Sequence, residues 1–376
     1  MTAPYVERTV KKIESEPDRL TRSLMRVELA CYWARVGEFQ RAEEFRTQLR
    51  SEFGDGKSPR VSIMIMCLEG LLVYFRDLGQ GAKDRLDRAR LLAGAIQDQS
   101  LVAFTSAWQA HIAFNRNQFD LMAIAADDCL ASASERDLSA LSRITLVMGD
   151  LFAYLRDRPS SQAWYAVARD FAVKLGDHAS VGAITYNRAA LKVFELRLRA
   201  ITQELADDEL ALLDAEVRSA VNYQALAELR SLDHLLGSAQ VGTHVLRRQF
   251  TLARDQAISL LQSNTIQFGS PQHSLLLADA AFCSAASGDP STAANLLERC
   301  DAVGVESLPI DDQALFLSQV DQAAVLLKQA PIQSARSRSV AELTSAMEAE
   351  LVRLRGQMSR FASVPQLVRR AASSSH

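Results

Sequence analysis

The sequence predicts an all-α chain built as a stacked array of helix pairs. Three observations predict it. A short pattern, A-R-x-x-A-x-x-x-x-D, occurs at Ala89-Arg90, Ala93 and Asp98, and again at Ala168-Arg169, Ala172 and Asp177, 79 residues later. A degenerate copy lies midway, around Leu130 and Asp137, so the unit is about 40 residues, the size of a helical-hairpin repeat. Breakers are scarce, with 16 Gly and 9 Pro in 376 residues, as a chain that is nearly all helix requires. Candidate turns at Gly37, Gly79, Asn117 and Arg158 lie 42, 38 and 41 residues apart, the regularity of a stacked array.

A leading helix is expected over residues 5–16, stopped by Pro17, with Asp18 as N-cap of the next. That helix runs to Val36 with Leu20, Leu24, Val27, Cys31 and Ala34 on one stripe. A second runs from Glu38 to Phe53, with Phe39, Ala42, Phe45 and Leu49 on one side. Gly54-Asp55-Gly56-Lys57-Ser58-Pro59 reads as a loop, and Gly79-Gln80-Gly81 as a turn between helices at 60–78 and 82–97. Further pairs are expected at 101–116 with 118–135, and at 138–157 with 160–175, followed by a helix from Ala179 to Arg199.

The middle is less regular. Six acids between Glu204 and Glu216, interleaved with leucines, predict an amphipathic helix with a solvated acidic face, continuing to Leu236. Gly237–Gly242 reads as a break before a helix over 243–262. The polar stretch Ser263–Pro271 is the candidate hinge. Helices follow at 272–287, from the Gly288-Asp289-Pro290 turn to Cys300, and at 310–328, stopped by Pro331. The last helix, Ser337–Phe361, carries a narrow seam of Val340, Leu343, Met347, Leu351, Leu354, Met358 and Phe361. Such a seam suits either a helix capping the array or one that pairs two copies of the chain. Residues 366–376 read as a disordered tail. The domain plan is therefore an N-terminal segment (1–18), a repeat array (19–262), C-terminal helices (263–335), the terminal helix (336–365) and the tail.

The join Tyr32-Trp33-Ala34-Arg35-Val36-Gly37-Glu38-Phe39-Gln40-Arg41-Ala42 resembles the tetratricopeptide (TPR) repeat family. That family places a Gly at the turn, an aromatic two residues on and a small Ala five residues after the Gly. Gly288-Asp289-Pro290-Ser291-Thr292-Ala293 resembles it too. The likeness covers residues 19–199 and 272–302, with units longer than the family's 34 residues. It implies a right-handed α-solenoid of antiparallel helix pairs, a TPR-like superhelix whose first helices line a concave face. Counting back from the turns, it implies Val27, Cys31 and Arg35; Glu69, Val73 and Arg76; Ala107, His111, Phe114 and Asn115; and Tyr186, Ala190 and Phe194 on that face. Arg35, Glu69, Arg76, His111, Asn115 and Tyr186 are the candidate partner-binding residues, a mixture suited to a peptide or protein segment.

No catalytic constellation is present. Gly56-Lys57-Ser58 lacks the Gly that a phosphate loop needs at Ser51 and is followed by Pro59. The six histidines form no HExxH and none lies three residues after a Glu, so no metal or other cofactor is expected. There is no GxSxG elbow. Asp127-Asp128 and Asp207-Asp208 are adjacent on helices and point apart, which suits a solvated face. Trp108 and His111 share a helix face, where core packing is the default and an aromatic ligand cage the sharper reading.

With 42 basic and 45 acidic residues, the chain has no global field to hold nucleic acid or an anionic membrane. The charged N-terminus lacks a signal-peptide core, the 15-residue apolar run Val61–Phe75 is too short to span a bilayer, and five scattered cysteines read as reduced core thiols. A cytoplasmic, non-catalytic interaction scaffold or adaptor is therefore expected, with a possible homodimer through Ser337–Phe361. The alternative is a ligand- or peptide-responsive regulator of bacterial type, acting through a partner protein. An enzyme on a helical scaffold is the third reading.

Overall fold

The computed structural model describes residues 4–53, 57–77, 81–229, 231–263, 266–328 and 339–373. Gly54–Gly56, Gly79-Gln80, Pro331 and Ser337, which the sequence reading used as loop, turn, stop and helix start, lie outside them. Among the described residues every regular element is helical, with 18 α-helices and two short 3₁₀ turns.

They group into two compact units. The first comprises residues 1–184, 229–231 and 358–376, and the second residues 185–228 and 232–357. The first holds α1 (Pro4–Ser15), α2 (Arg19–Arg35), α3 (Phe39–Phe53), α4 (Pro59–Asp77), α5 (Gly81–Ala95), α6 (Gln99–Asn115), α7 (Phe119–Ser132), α8 (Leu138–Tyr154) and α9 (Arg158–Leu175). Helix α10 (His178–Ala200) runs from the first unit into the second. The second holds α11 (Asp207–Leu226), α12 (Asp233–Leu246), α13 (Phe250–Gln262), α14 (Pro271–Ala286), α15 (Pro290–Asp301), α16 (Ile310–Leu326) and nearly all of α17 (Val340–Met358). The last helix, α18 (Gln366–Ser373), belongs to the first unit.

Packing follows the chain. Helix α2 packs on α3 and α4, α4 on α5 and α6, α6 on α7 and α8, and α8 on α9. In the second unit α12 packs on α13 and α14, and α14 on α15 and α16. The first helix of each pair thus touches its successor's first helix as well as its own partner, and composition follows from that. Buried positions wrap all round α6 and α8, from Leu101 to Ala113 and from Ala140 to Phe152, because neighbours cover them on several sides. Helix α3 buries only Ala42, Leu49 and Phe53, one stripe of an otherwise wet helix.

The A-R-x-x-A-x-x-x-x-D pattern has a direct physical meaning here. Ala89, Ala93, Ala168 and Ala172 are all at most 1% exposed, so a larger side chain has no room. The residue before each Asp is left-handed (Gln97 φ 57°, Gly176 φ 67°), which ends one helix. Asp98 and Asp177 then accept from the backbone N–H of Leu101 and Ser180 and start the next. Asp157 and Asp289 cap α9 and α15 in the same way, behind left-handed Arg156 and Gly288.

Several expectations need correction. The fourth turn residue is Arg156 (φ 59°), not Arg158, which opens α9 with Pro159 in its first turn. The acidic helix stops at Leu226, two residues before left-handed Glu228, instead of continuing to Leu236. Gly237–Gly242 is not a break, because α12 runs through it. A Cβ on Gly242 would come within 2.7 Å of the Val193 side chain, so this glycine serves close helix approach. The break falls at left-handed Arg248. Ser263–Pro271 lies within the second unit, and the two units part inside α10. The tail is ordered as far as α18, because Val368 and Ala371 are fully buried and Lys174 donates to the Ala371 carbonyl. In the terminal helix, Leu343, Met347, Leu351, Leu354, Met358 and Phe361 are all at most 4% exposed and Val340 is half-buried, which agrees with a helix that caps its own chain.

Two substitutions test this packing. Ala42→Leu places three extra carbons where the native side chain is fully buried, and should destabilise by about 1–3 kcal/mol through overpacking. Gly242→Ala should also lower stability in urea melts, although Ala favours a helix by about 1 kcal/mol, because its methyl meets Val193. A stabilised Gly242→Ala would show that α12 is not held this close to α10.

Candidate functional site

The first unit contains a cavity of about 50 Å³ whose walls come from α1, α2, α6, α8 and the α9–α10 turn. By the ~10–15 Å³ that one enclosed water needs, it has room for a few waters or one carboxylate group. Tyr5, Glu28, Tyr32, Arg35, Trp108, Arg143 and Asp177 supply most of its chemistry.

Arg35 sits in the last turn of α2 and reaches Asp177 at 2.6 Å and the Ser180 hydroxyl at 2.7 Å. Asp177 is only 4% exposed. Burial alone would raise its carboxyl, but the Arg35 charge together with hydrogen bonds from Ser180 and Arg35 holds it below the usual carboxylate range. One aspartate therefore caps α10 and neutralises a cation from α2.

Arg143 has no such partner. It projects from the middle of α8, is 6% exposed, and lies with its guanidinium 4.1 Å from the centre of the Trp108 ring. Its Nε is sealed from solvent and unbonded, and no described residue forms a hydrogen bond or ion pair with any of its nitrogens. Burial first, and then the Arg35 charge, pushes it down to about 9, with Asp177 and Asp150 opposing. The guanidinium still carries its proton at pH 7. A cation–π contact is worth about 2 kcal/mol when desolvated, whereas burying an unpaired ion costs several. The ring alone does not offset that cost.

Glu28 is the acid on the same wall. It accepts from the Ser139 hydroxyl, and burial raises its carboxyl. Asp150 is 2% exposed and accepts from the Tyr165 hydroxyl at 2.6 Å. Helix α1 closes the site. Tyr5 stacks on Tyr32 with ring centres 4.6 Å apart, and Arg8 donates to the Lys174 carbonyl.

Of the residues selected from sequence, Arg35 and Cys31 line the cavity. His111 stands behind it, edge-on to Trp108 (5.5 Å) and Tyr74 (5.6 Å). Asn115, one turn on, donates to the His111 carbonyl at 2.9 Å. Glu69 is instead held by Arg46 and Arg50, and Arg76 lies over Phe39 near Glu43, so both belong to an ion network with α3. Tyr186 lies in the second unit, against a core of Ala189, Val193 and Leu213. Trp108 is buried, at 5% exposed, and also serves as the floor under Arg143. Sequence reasoning missed Arg143. The available signal was a lone cation in an otherwise apolar helix, Leu141-Ser142-Arg143-Ile144-Thr145-Leu146-Val147.

No family model matches this chain, and no curated protein is found to be similar to it. No helix among the described residues is long and apolar enough to cross a membrane. No described group of three or more His, Cys, Asp or Glu could hold a metal ion.

His111 provides a pH test of this interior. Burial, followed by the charges of Arg143 and Arg35, pushes its pKa well below 6.5, and its Nδ1 has no partner. The folded chain keeps His111 neutral while the unfolded chain protonates it, so stability is full above pH ~6.5 and is lost as pH falls. Below that point the loss approaches at most about 1.4 kcal/mol per pH unit from this residue. In urea melts from pH 7 to pH 5, His111→Phe should lose less stability than the native chain. Equal losses would place the ring in contact with solvent.

Proposed function

We propose that this chain is a non-catalytic binding protein, and that its first unit takes the acidic group of a peptide or protein segment against Arg143. The carrying observation is that buried, unpaired guanidinium beside a cavity of carboxylate size. Arg35 is already neutralised by Asp177, so the positive charge left unanswered is that of Arg143. A carboxylate entering the cavity gains a charge-assisted hydrogen bond and removes the cost of an unpaired buried cation. The Trp108 ring lies 4.1 Å from the centre of the guanidinium and lines the same cavity.

In this reading the helix pairs stack antiparallel as a TPR-like α-solenoid. Its first helices α2, α4, α6 and α8 form the binding side. The contacts of α2 with α4, α4 with α6 and α6 with α8 support that arrangement. The chain then acts as a scaffold or adaptor for a partner with an exposed acidic segment. The enclosure of the cavity by α1 favours a second reading, a regulator that responds to a small free carboxylate and signals by moving α1.

Arg143→Met tests both. The variant should be as stable as the native chain or more stable, by up to about 4 kcal/mol, because it replaces an unpaired buried charge with an apolar side chain. It should also lose at least tenfold in affinity for acidic peptides displayed on an array. Retention of acidic peptides favours the adaptor, and a saturable thermal shift with acetate alone favours the regulator. Native-strength binding by Arg143→Met in both assays would remove the cavity from the function.

A further inference from the structure

The second unit contains a larger cleft of about 530 Å³, distinct from the cavity beside Arg143. It lies between the end of α10, the connector into α11, the α12–α13 turn and one face each of α14 and α16. Its volume falls in the range of small-molecule sites, roughly 300–1,000 Å³.

Four features define what it would hold. Phe250 and Phe282 form an edge-to-face pair with ring centres 5.3 Å apart, an aromatic wall. Gln319 also lines the cleft and is 8% exposed. Its Oε1 is sealed without a partner, and no described residue bonds either end of its amide. Its neighbour one turn on, Gln322, donates through Nε2 to the Ser318 carbonyl and hydroxyl, at 3.2 and 3.1 Å, leaving its own carbonyl oxygen as an acceptor. Arg197, 8% exposed, is paired with Asp279 but leaves its Nε unbonded. The Gln319 Nε2 also has no partner among the described residues and is not sealed, so it is the end of the amide that an occupant of the cleft can reach.

The charges argue against an anion. Arg197 is answered by Asp279, and Arg247 by Asp214 at 2.8 Å. Arg248, Glu204 and Asp207 also line the cleft, with no ion pair to Arg248 among the described residues. The rim thus offers a cation and two carboxylates, with no surplus of positive charge. Carboxylates at a ligand site accept well from the paired hydroxyls of a sugar.

We propose that this cleft binds a nucleoside. The planar base packs on Phe250 and Phe282, accepts from the Gln319 Nε2 and donates to the Gln322 Oε1, and the ribose hydroxyls donate to Glu204 and Asp207. Paired amide donors and acceptors match the edge of a base, and aromatic rings match its face.

Titration calorimetry of the full chain with adenosine, guanosine, cytidine and uridine tests this. At least one should bind saturably in the micromolar to millimolar range. Gln319→Leu should weaken it at least tenfold while keeping or raising the melting temperature, because it replaces a buried amide with no described partner by an apolar side chain of similar size. Gln322→Leu is the second variant and should weaken binding in the same direction. Adding a 5′-phosphate should not tighten binding. The proposal is overturned if no nucleoside binds at millimolar concentration, if both Gln variants bind as the native chain does, or if the nucleotide binds more tightly than its nucleoside.

Discussion

The interior of the first unit depends on one ion pair, Arg35 with Asp177. It joins residues 142 positions apart, the C-terminal turn of α2 and the N-cap of α10, across a distance of 2.6 Å. Breaking such a pair from one side leaves an uncompensated buried charge, a penalty of about 3–5 kcal/mol. The pair also sets the electrostatics around it. With Asp177 committed to Arg35, to the Ser180 hydroxyl and to the backbone N–H of Ser180, it has little left to offer Arg143. An unpaired guanidinium in the same cavity follows from how one carboxylate is shared.

Charge and packing work together in this arrangement. Buried Ala89, Ala93, Ala168 and Ala172 leave no room for larger side chains on α5 and α9, and side chains from α2, α6 and α8 meet in one cavity. Helices here pack mostly on near neighbours along the chain, and polar residues are carried inside where several of them meet. The first unit carries an arginine there. The second carries a glutamine, in a cleft where Arg197 and Arg247 already have partners.

Much of the fold was legible in the sequence. The spacing of turns and the alanine-rich pattern located most helices, and the Asp residues marked where new ones begin. The misreadings share a cause. Local propensity misleads at Gly237, Gly242 and the tail, and each is decided by what packs against it. Val193 requires the glycine at 242, and burial of Val368 and Ala371 orders the tail. The site was legible only in part. Arg35 and Cys31 were reached by counting back from Gly37, while Glu69, Arg76 and Tyr186 carry the right chemistry in other surroundings. Arg143 stood out in composition, but nothing in the sequence revealed that it has no partner.

The sequence by itself determined the all-helical class and the caps, because these rest on interactions between residues a few positions apart. Periodicity, a left-handed residue and a following Asp act within a single turn of chain. Only the tertiary structure decided which charges meet. Asp177 looked like a cap and nothing more until α2 brought Arg35 to it. Pairing is a property of space, and an ionisable side chain acquires its function from the partners that folding supplies or withholds.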